Sequence, residues 1–247
     1  TLLSFIIISR FSAESNYKTI NEKMKVAQGI DKIVKYKQIL IKLNEVISSA
    51  DHVIHVISDE PYIDLVYDGK SVPPVLKYID NLIICFSWSK SLSLPGERIG
   101  YTLVSPKHPD YTDLVAGIIL SNRILGSVNA PAIWQYVVEK SLYAKVDVAN
   151  YEYRRNLLYD NIVDAGFDCN KPSGALYIFM KTPQGLEDEV FAAICAKCNL
   201  LLVPGKSFCR SGYCRLAFCV SESTIVNSRK AFFAVADEIG LSHKTSL

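Results

Sequence analysis

Residues 87–100 read Ser87-Trp88-Ser89-Lys90-Ser91-Leu92-Ser93-Leu94-Pro95-Gly96-Glu97-Arg98-Ile99-Gly100, a lysine framed by hydroxyl groups with an arginine eight positions on. Alone, a Ser-x-Ser-Lys string is usually a polar loop with a solvated lysine. The arginine gives the stretch a second meaning. An amine held among polar groups can capture an aldehyde as a Schiff base. The hydroxyls of Ser87 and Ser89 and the planar fork of Arg98 can bind a phosphate dianion beside it. A second constellation, Asp59-Glu60-Pro61-Tyr62, supplies a carboxylate and a phenol. By itself Asp59 reads as an ordinary turn-capping acid.

Both constellations end apolar runs. Val53-Ile54-His55-Val56-Ile57-Ser58 reads as a parallel strand covered on both faces. Leu82-Ile83-Ile84-Cys85-Phe86 reads as a second buried strand, and residues 99–104 as a third. In open α/β sheets the binding groups gather at the carboxyl ends of strands, where Asp59 and Lys90 both fall. Upstream, apolar residues at 30, 33, 34, 36, 40, 43, 46 and 47 form one face of an amphipathic helix with lysines opposite. Downstream, helical patterns cover 110–125, 130–145 and 151–165, the last closed by Gly166 as a left-handed cap, with Arg154 and Arg155 expected at the surface. Asn129-Ala130-Pro131 is a helix-start signal. The remainder alternates strands at 172–180, 200–205 and 213–220 with helices at 186–198 and 224–239. Arg215 sits inside an apolar strand and needs a partner there, since an unpaired buried charge is costly. A local acid is one such partner, and Arg210 in the preceding loop is a rival anion binder.

The string around Lys90 resembles the cofactor-lysine segment of class I/II aminotransferases, the fold-type I pyridoxal-phosphate enzymes. Ser89, Lys90, Arg98 and Gly100 match its spacing, while Trp88 stands where a smaller or phenolic residue is more usual. The resemblance runs from about Val46 to the C-terminus. It implies an α/β fold of fold-type I: a partial, mainly parallel large-domain sheet plus a small α+β C-terminal domain. It implies pyridoxal 5'-phosphate as cofactor, with Lys90 as Schiff-base lysine and proton carrier. Asp59 would face the pyridine nitrogen and Tyr62 the phenolic oxygen. Ser87, Ser89 and Arg98 would hold the phosphate. Arg215, which follows Val203-Pro204-Gly205-Lys206-Ser207-Phe208, would bind the substrate α-carboxylate. The implied reaction moves an amino group between an amino acid and a 2-oxo acid, and lyases and synthases of the same fold share these residues.

Bulk properties fit an enzyme of this kind. The 247 residues are 49% hydrophobic, enough for a sizeable core. With 27 basic and 25 acidic side chains the net charge is +2, which carries no bias toward nucleic acid or a membrane surface. The seven cysteines, unevenly spaced, read as buried reduced thiols of a cytoplasmic protein; metal binding by Cys195-x-x-Cys198 and the trio Cys209, Cys214 and Cys219 is the alternative, which lacks a second tight pair of zinc-knuckle type. His52 and His55, three apart on an apolar strand, read as structural and not as a metal pair.

The expected organisation is a divergent segment 1–28, a partial cofactor domain 29–147 and a small domain 148–247. The apolar start, Leu2-Leu3-Ser4-Phe5-Ile6-Ile7-Ile8, is too short to span a bilayer and reads as a strand or a domain remnant. Before Gly29, residues Lys25-Val26-Ala27-Gln28 lack the asparagine and proline of the family's turn. No stretch of 1–28 resembles the family's glycine-rich phosphate cradle, stacking aromatic or dimer-forming portion. Two expectations follow: a homodimeric aminotransferase, or a truncated, non-catalytic homologue serving as an interaction module.

Overall fold

The computed structural model describes residues 5–9 and 32–243. The sequence readings for the rest of segment 1–28, and for the turn at Gly29, lie outside them. The described chain forms two compact units that divide between Val146 and Asp147.

The first unit is built on a four-stranded sheet. Its elements are β1 (Phe5–Ser9), α1 (Lys32–Ser48), β2 (His55–Asp59), β3 (Leu82–Ser87), the one-turn helix α2 (Trp88–Ser91), β4 (Gly100–Val104), α3 (Tyr111–Ile124) and α4 (Ala132–Lys140). The sheet order is β1-β2-β3-β4. Parallel pairing is confined to β2 and β3, with Asp59 opposite Cys85; β1 and β4 flank them antiparallel. The core follows the sequence pattern. Leu40, Leu43 and Ile47 of α1 pack with Val56, Val75, Ile79 and Leu82. Val46, counted on the same face, is instead 46% exposed. β2 is not covered on both sides: Val56 and Ser58 are buried, whereas His55, Ile57 and Asp59 alternate with them half-exposed. That alternation is what a strand with one solvated face shows.

The second unit contains α5 (Val148–Asp164), β5 (Tyr177–Lys181), α6 (Asp188–Lys197), β6 (Val203–Pro204), β7 (Tyr213–Ala217) and α7 (Glu222–Glu238). Its antiparallel sheet runs β5-β7-β6. Ile162, Phe191 and Phe232 are fully buried, and Phe167 packs against both phenylalanines at centroid distances of 5.9 and 6.1 Å. Gly166 ends α5 with φ +85°, and a Cβ there would stand 2.3 Å from the Ser242 carbonyl oxygen. Only glycine fits that close, left-handed stop. Arg155 corrects the sequence reading, because it is completely buried. Its guanidinium donates to the Pro172 carbonyl at 2.8 Å, to Asn156 Oδ1 at 2.9 and 3.1 Å, and to Glu152 at 3.4 Å. Those acceptors replace the water that an exposed arginine would keep.

All seven cysteines are free. Burial pushes the Cys195 thiol up to about 12 and Cys214 up to about 11, so neither is a nucleophile at neutral pH. Cys209 and Cys219 are exposed, contrary to the buried expectation. Among the described residues no helix is long and apolar enough to cross a membrane.

Candidate active site

The lysine is placed by a strand that turns directly into a helix. β3 delivers Ser87 in extended geometry (φ −142°, ψ 148°), and α2 begins at once with Trp88. Ser87 Oγ does not cap that turn; it donates to Ser89 Oγ at 3.1 Å, which puts the two hydroxyls side by side. The chain then loops out and returns as β4, and Trp88 N donates to the Ile99 carbonyl at 3.2 Å. Arg98 is thereby brought back beside the start of α2. Gly100 makes this return possible. A Cβ on it would sit 2.3 Å from the Phe86 carbonyl oxygen, so the closing small residue of the motif is a steric requirement.

Asp59 ends β2 one strand away, and the next backbone N–H, of Glu60, donates to the Cys85 carbonyl of β3 at 2.8 Å. The two adjacent acids diverge. Glu60 turns inward, 7% exposed, and accepts from Ser58 Oγ at 2.8 Å. Burial raises its pKa, opposed by that hydrogen bond, and the Asp59 charge raises it further. The Asp59 side chain stays half-buried with no hydrogen bond or ion pair among the described residues, and burial raises its pKa from the ordinary value. The turn after it carries Tyr62. Lys90 Nζ stands 5.8 Å from the Tyr62 ring centroid.

Arg98 donates to the Pro95 carbonyl at 2.9 Å and has no carboxylate partner among the described residues. Its backbone is left-handed, φ +51°. For a residue with a Cβ that conformation costs about 1–2 kcal/mol, and such strain gathers at functional sites. An open cavity of about 810 Å³ lies against β4, lined among others by Arg98, Gly100, Tyr101 and Asn129. Asp59, Tyr62 and Lys90 do not line it. The cavity therefore does not define the candidate site, whose side chains stand at or just after the ends of β2 and β3. No site role for Glu60 follows from the sequence, which marks it only as a neighbour of Asp59.

Arg215 is described within its own unit. On β7, half-buried, its guanidinium lies 3.8 Å from the Phe208 ring centroid and 4.4 Å from that of Tyr177. No acid pairs with it among the described residues, so the local-acid reading does not hold. Arg210, the rival, is exposed in the loop and stacks on Tyr213 at 4.4 Å.

The donor set matches the polar periphery of pyridoxal phosphate group for group. There is an acid for a ring nitrogen, an amine for an aldehyde, a phenol for a ring oxygen, and two hydroxyls with a guanidinium for a phosphate. Asp59, Lys90 and Arg98 carry charges that no other described side chain neutralises.

Comparison with known proteins supports the same conclusion. The family model for aminotransferase class I and II matches residues 40–232. The aspartate/prephenate aminotransferase of Thermus thermophilus is 29% identical over 199 residues, 78% of this chain and 50% of that protein. The aspartate aminotransferase of Thermotoga maritima is 30% identical over 175 residues, 68% of this chain and 43% of that protein. A crystal structure of an amino transferase from Eubacterium rectale superposes with a TM-score of 0.78 at 36% identity, covering 81% of this chain and 51% of that one. The chain thus spans about half the length of the relatives it matches. On the matched span and the retained motif alike, it belongs to the class I and II aminotransferases, the fold-type I enzymes that work with pyridoxal phosphate.

Proposed function

We propose that this chain carries the cofactor-binding residues of a pyridoxal-phosphate-dependent aminotransferase acting on an amino acid and a 2-oxo acid. The observation that supports it most is the set of charged groups, Asp59 and Lys90 at neighbouring strand ends and Arg98 before β4, with no oppositely charged side chain paired to them among the described residues. When bound, the cofactor supplies an aldehyde that takes up amino groups and a ring that accepts electrons from the substrate α-carbon. Lys90 Nζ holds the cofactor and, once released, moves the proton at that carbon. The Asp59 carboxylate keeps a proton on the ring nitrogen, and the Tyr62 hydroxyl hydrogen-bonds the ring oxygen. Ser87, Ser89 and Arg98 bind the phosphate. Arg215, pre-set by two aromatic faces, binds the substrate carboxylate through its fork.

The reading includes a homodimer. α3, α4 and the segments after them leave Ile124, Leu125, Ile133, Tyr136 and Tyr143 between 67 and 96% exposed, an apolar face that a second copy would cover. Free thiols suit a cytoplasmic compartment.

The test is visible absorbance of the purified protein with added pyridoxal phosphate, beside Lys90→Ala. A yellow band that borohydride bleaches, seen with the parent protein alone, is the expected result. A band of equal strength in Lys90→Ala, or none in either, would overturn the assignment of Lys90.

A further inference from the structure

Away from the candidate site, two histidines far apart in sequence meet. His108 lies on the connection from β4 to α3, only 3% exposed, and His55 opens β2 half-buried. His55 Nδ1 and His108 Nε2 are 3.0 Å apart, with ring planes 6° from parallel. The other nitrogen of His108 is also engaged: its Nδ1 accepts the backbone N–H of Asp110 at 3.0 Å. Asp110 is the N-cap residue of α3, and its carbonyl accepts from Leu114 N at 2.9 Å.

These contacts fix every proton. A neutral imidazole has one donor and one acceptor nitrogen. Because Nδ1 of His108 accepts, Nε2 must carry the hydrogen and donate to His55 Nδ1, leaving the His55 proton on Nε2. An imidazolium has donors only. A proton added to His108 sets Nδ1–H against the Asp110 N–H, and one added to His55 sets Nδ1–H against the Nε2–H of His108. The charged and titratable groups that bear on His108 are His55 from β2 and Asp110 at the start of α3; burial and His55 lower its pKa, and Asp110 opposes them in part. Nearby, Lys107 and Asp80 are paired at 3.1 Å.

The ligand atoms of His55, His108 and Asp110 all lie within 4.8 Å of one another, as in a metal site. Coordination through His108 Nε2 would need a lone pair there and the proton on Nδ1, where the Asp110 N–H already donates. The tautomer favours a proton-controlled contact over a metal-controlled one.

We propose that His55 and His108 form an acid-opened latch, fastening the β4–α3 connection to β2 while both rings are neutral and releasing the start of α3 when either ring is protonated. The latch stands apart from the cofactor residues and does not depend on their assignment. The test is amide hydrogen exchange on the full chain, corrected for the intrinsic pH dependence, between pH 7.5 and 5.5. Asp110 and the first turn of α3 should lose protection by up to about tenfold per pH unit once the rings begin to charge. In His108→Asn, the Oδ1 replaces Nδ1 as acceptor for the Asp110 N–H without titrating, and protection should hold across the range. Protection that does not change with pH in the parent protein, or falls equally in both, would overturn the latch. Nitrogen NMR of the parent protein's rings at pH 7.5 gives a check that needs no variant: a His108 with its proton on Nδ1 also overturns it. So does protection of α3 by added zinc ion that His108→Asn abolishes.

Discussion

Arg155 in one unit and Asp59, Lys90 and Arg98 in the other are charged side chains held in opposite ways. In the unit after Asp147, Arg155 is wholly buried, yet its guanidinium finds a backbone carbonyl, a carboxamide and a carboxylate within 3.4 Å. Arg229 likewise pairs with Asp164 at 2.9 Å. In the unit before it, the side chains of Asp59 and Lys90 are half-buried without a hydrogen bond or ion pair among the described residues, and the Arg98 guanidinium has a single carbonyl there, on a strained backbone. Charges that serve the fold are satisfied by the fold, since an unpaired buried group costs free energy. Charges left open are where another molecule can complete the set, as in the proposed site. Arg215 belongs to the open class although it shares a unit with Arg155. Aromatic rings hold it, and no acid does among the described residues.

The comparison breaks most completely at Lys90. Lys90→Ala removes the amine without removing a structural bond, so folding should persist while cofactor fixed by borohydride, read by mass on the intact chain, falls to background. A variant that fails to fold would place Lys90 with Arg155 among the structural charges.

The two arginines sharpen the contrast. Arg155→Met strands the Pro172 carbonyl and Asn156, and should cost about 3 kcal/mol of stability by urea unfolding. Arg215→Met keeps an unbranched stem between Tyr177 and Phe208 and should change stability by no more than about 0.5 kcal/mol. If the protein is active, the second variant should raise KM for both substrates, because the carboxylate clamp is gone. Equal stability losses would show that burial, and not function, governs both.

Arg98 offers a smaller effect of opposite sign. At φ +51° a glycine is unstrained, so Arg98→Gly should stabilise the fold by about 1 kcal/mol in thermal or urea unfolding. The same change should weaken retention of pyridoxal phosphate. Stability gained as affinity is lost would identify strain kept for binding. Stability lost would mean that the bond to Pro95 matters more than the backbone conformation.

Much of this was readable before the fold. A short apolar run leading into Ser87-Trp88-Ser89-Lys90 specifies a strand that ends in a polar turn, and β3 into α2 is that arrangement. The face of α1 and the cap at Gly166 follow from helical period and backbone sterics. The antiparallel pairing of β1 was not legible, because a short apolar run such as residues 5–8 states burial and not direction. Arg155 read as surface because a charge in a polar helix looks solvated until the chain around Pro172 covers it. The strand expected over 200–205 shrank to Val203–Pro204, since a sheet edge keeps only the residues that register against β7. His108 carries no local signal at all: its partner is 53 residues away, and only the sheet brings them together.

Asp59 gives the subtlest test, because there the sign of the effect distinguishes an open site from a satisfied one. Burial raises its folded pKa above the ordinary 3.8, so the folded chain holds that proton more tightly than the unfolded chain. Its favourable contribution is complete below pH 3.8 and is lost as pH rises through the raised folded value. Asp59→Asn has no such loss. Without cofactor the variant should therefore unfold at higher urea than the parent protein at pH 7, with the difference shrinking toward pH 4. Added pyridoxal phosphate should reverse the order at pH 7, because a protonated ring nitrogen facing the carboxylate favours its charged form. A parent protein already the more stable at pH 7 without ligand would mean that Asp59 has a partner within the fold. It would then stand with Arg155, and the distinction between the two kinds of charge would fail at its most exposed point.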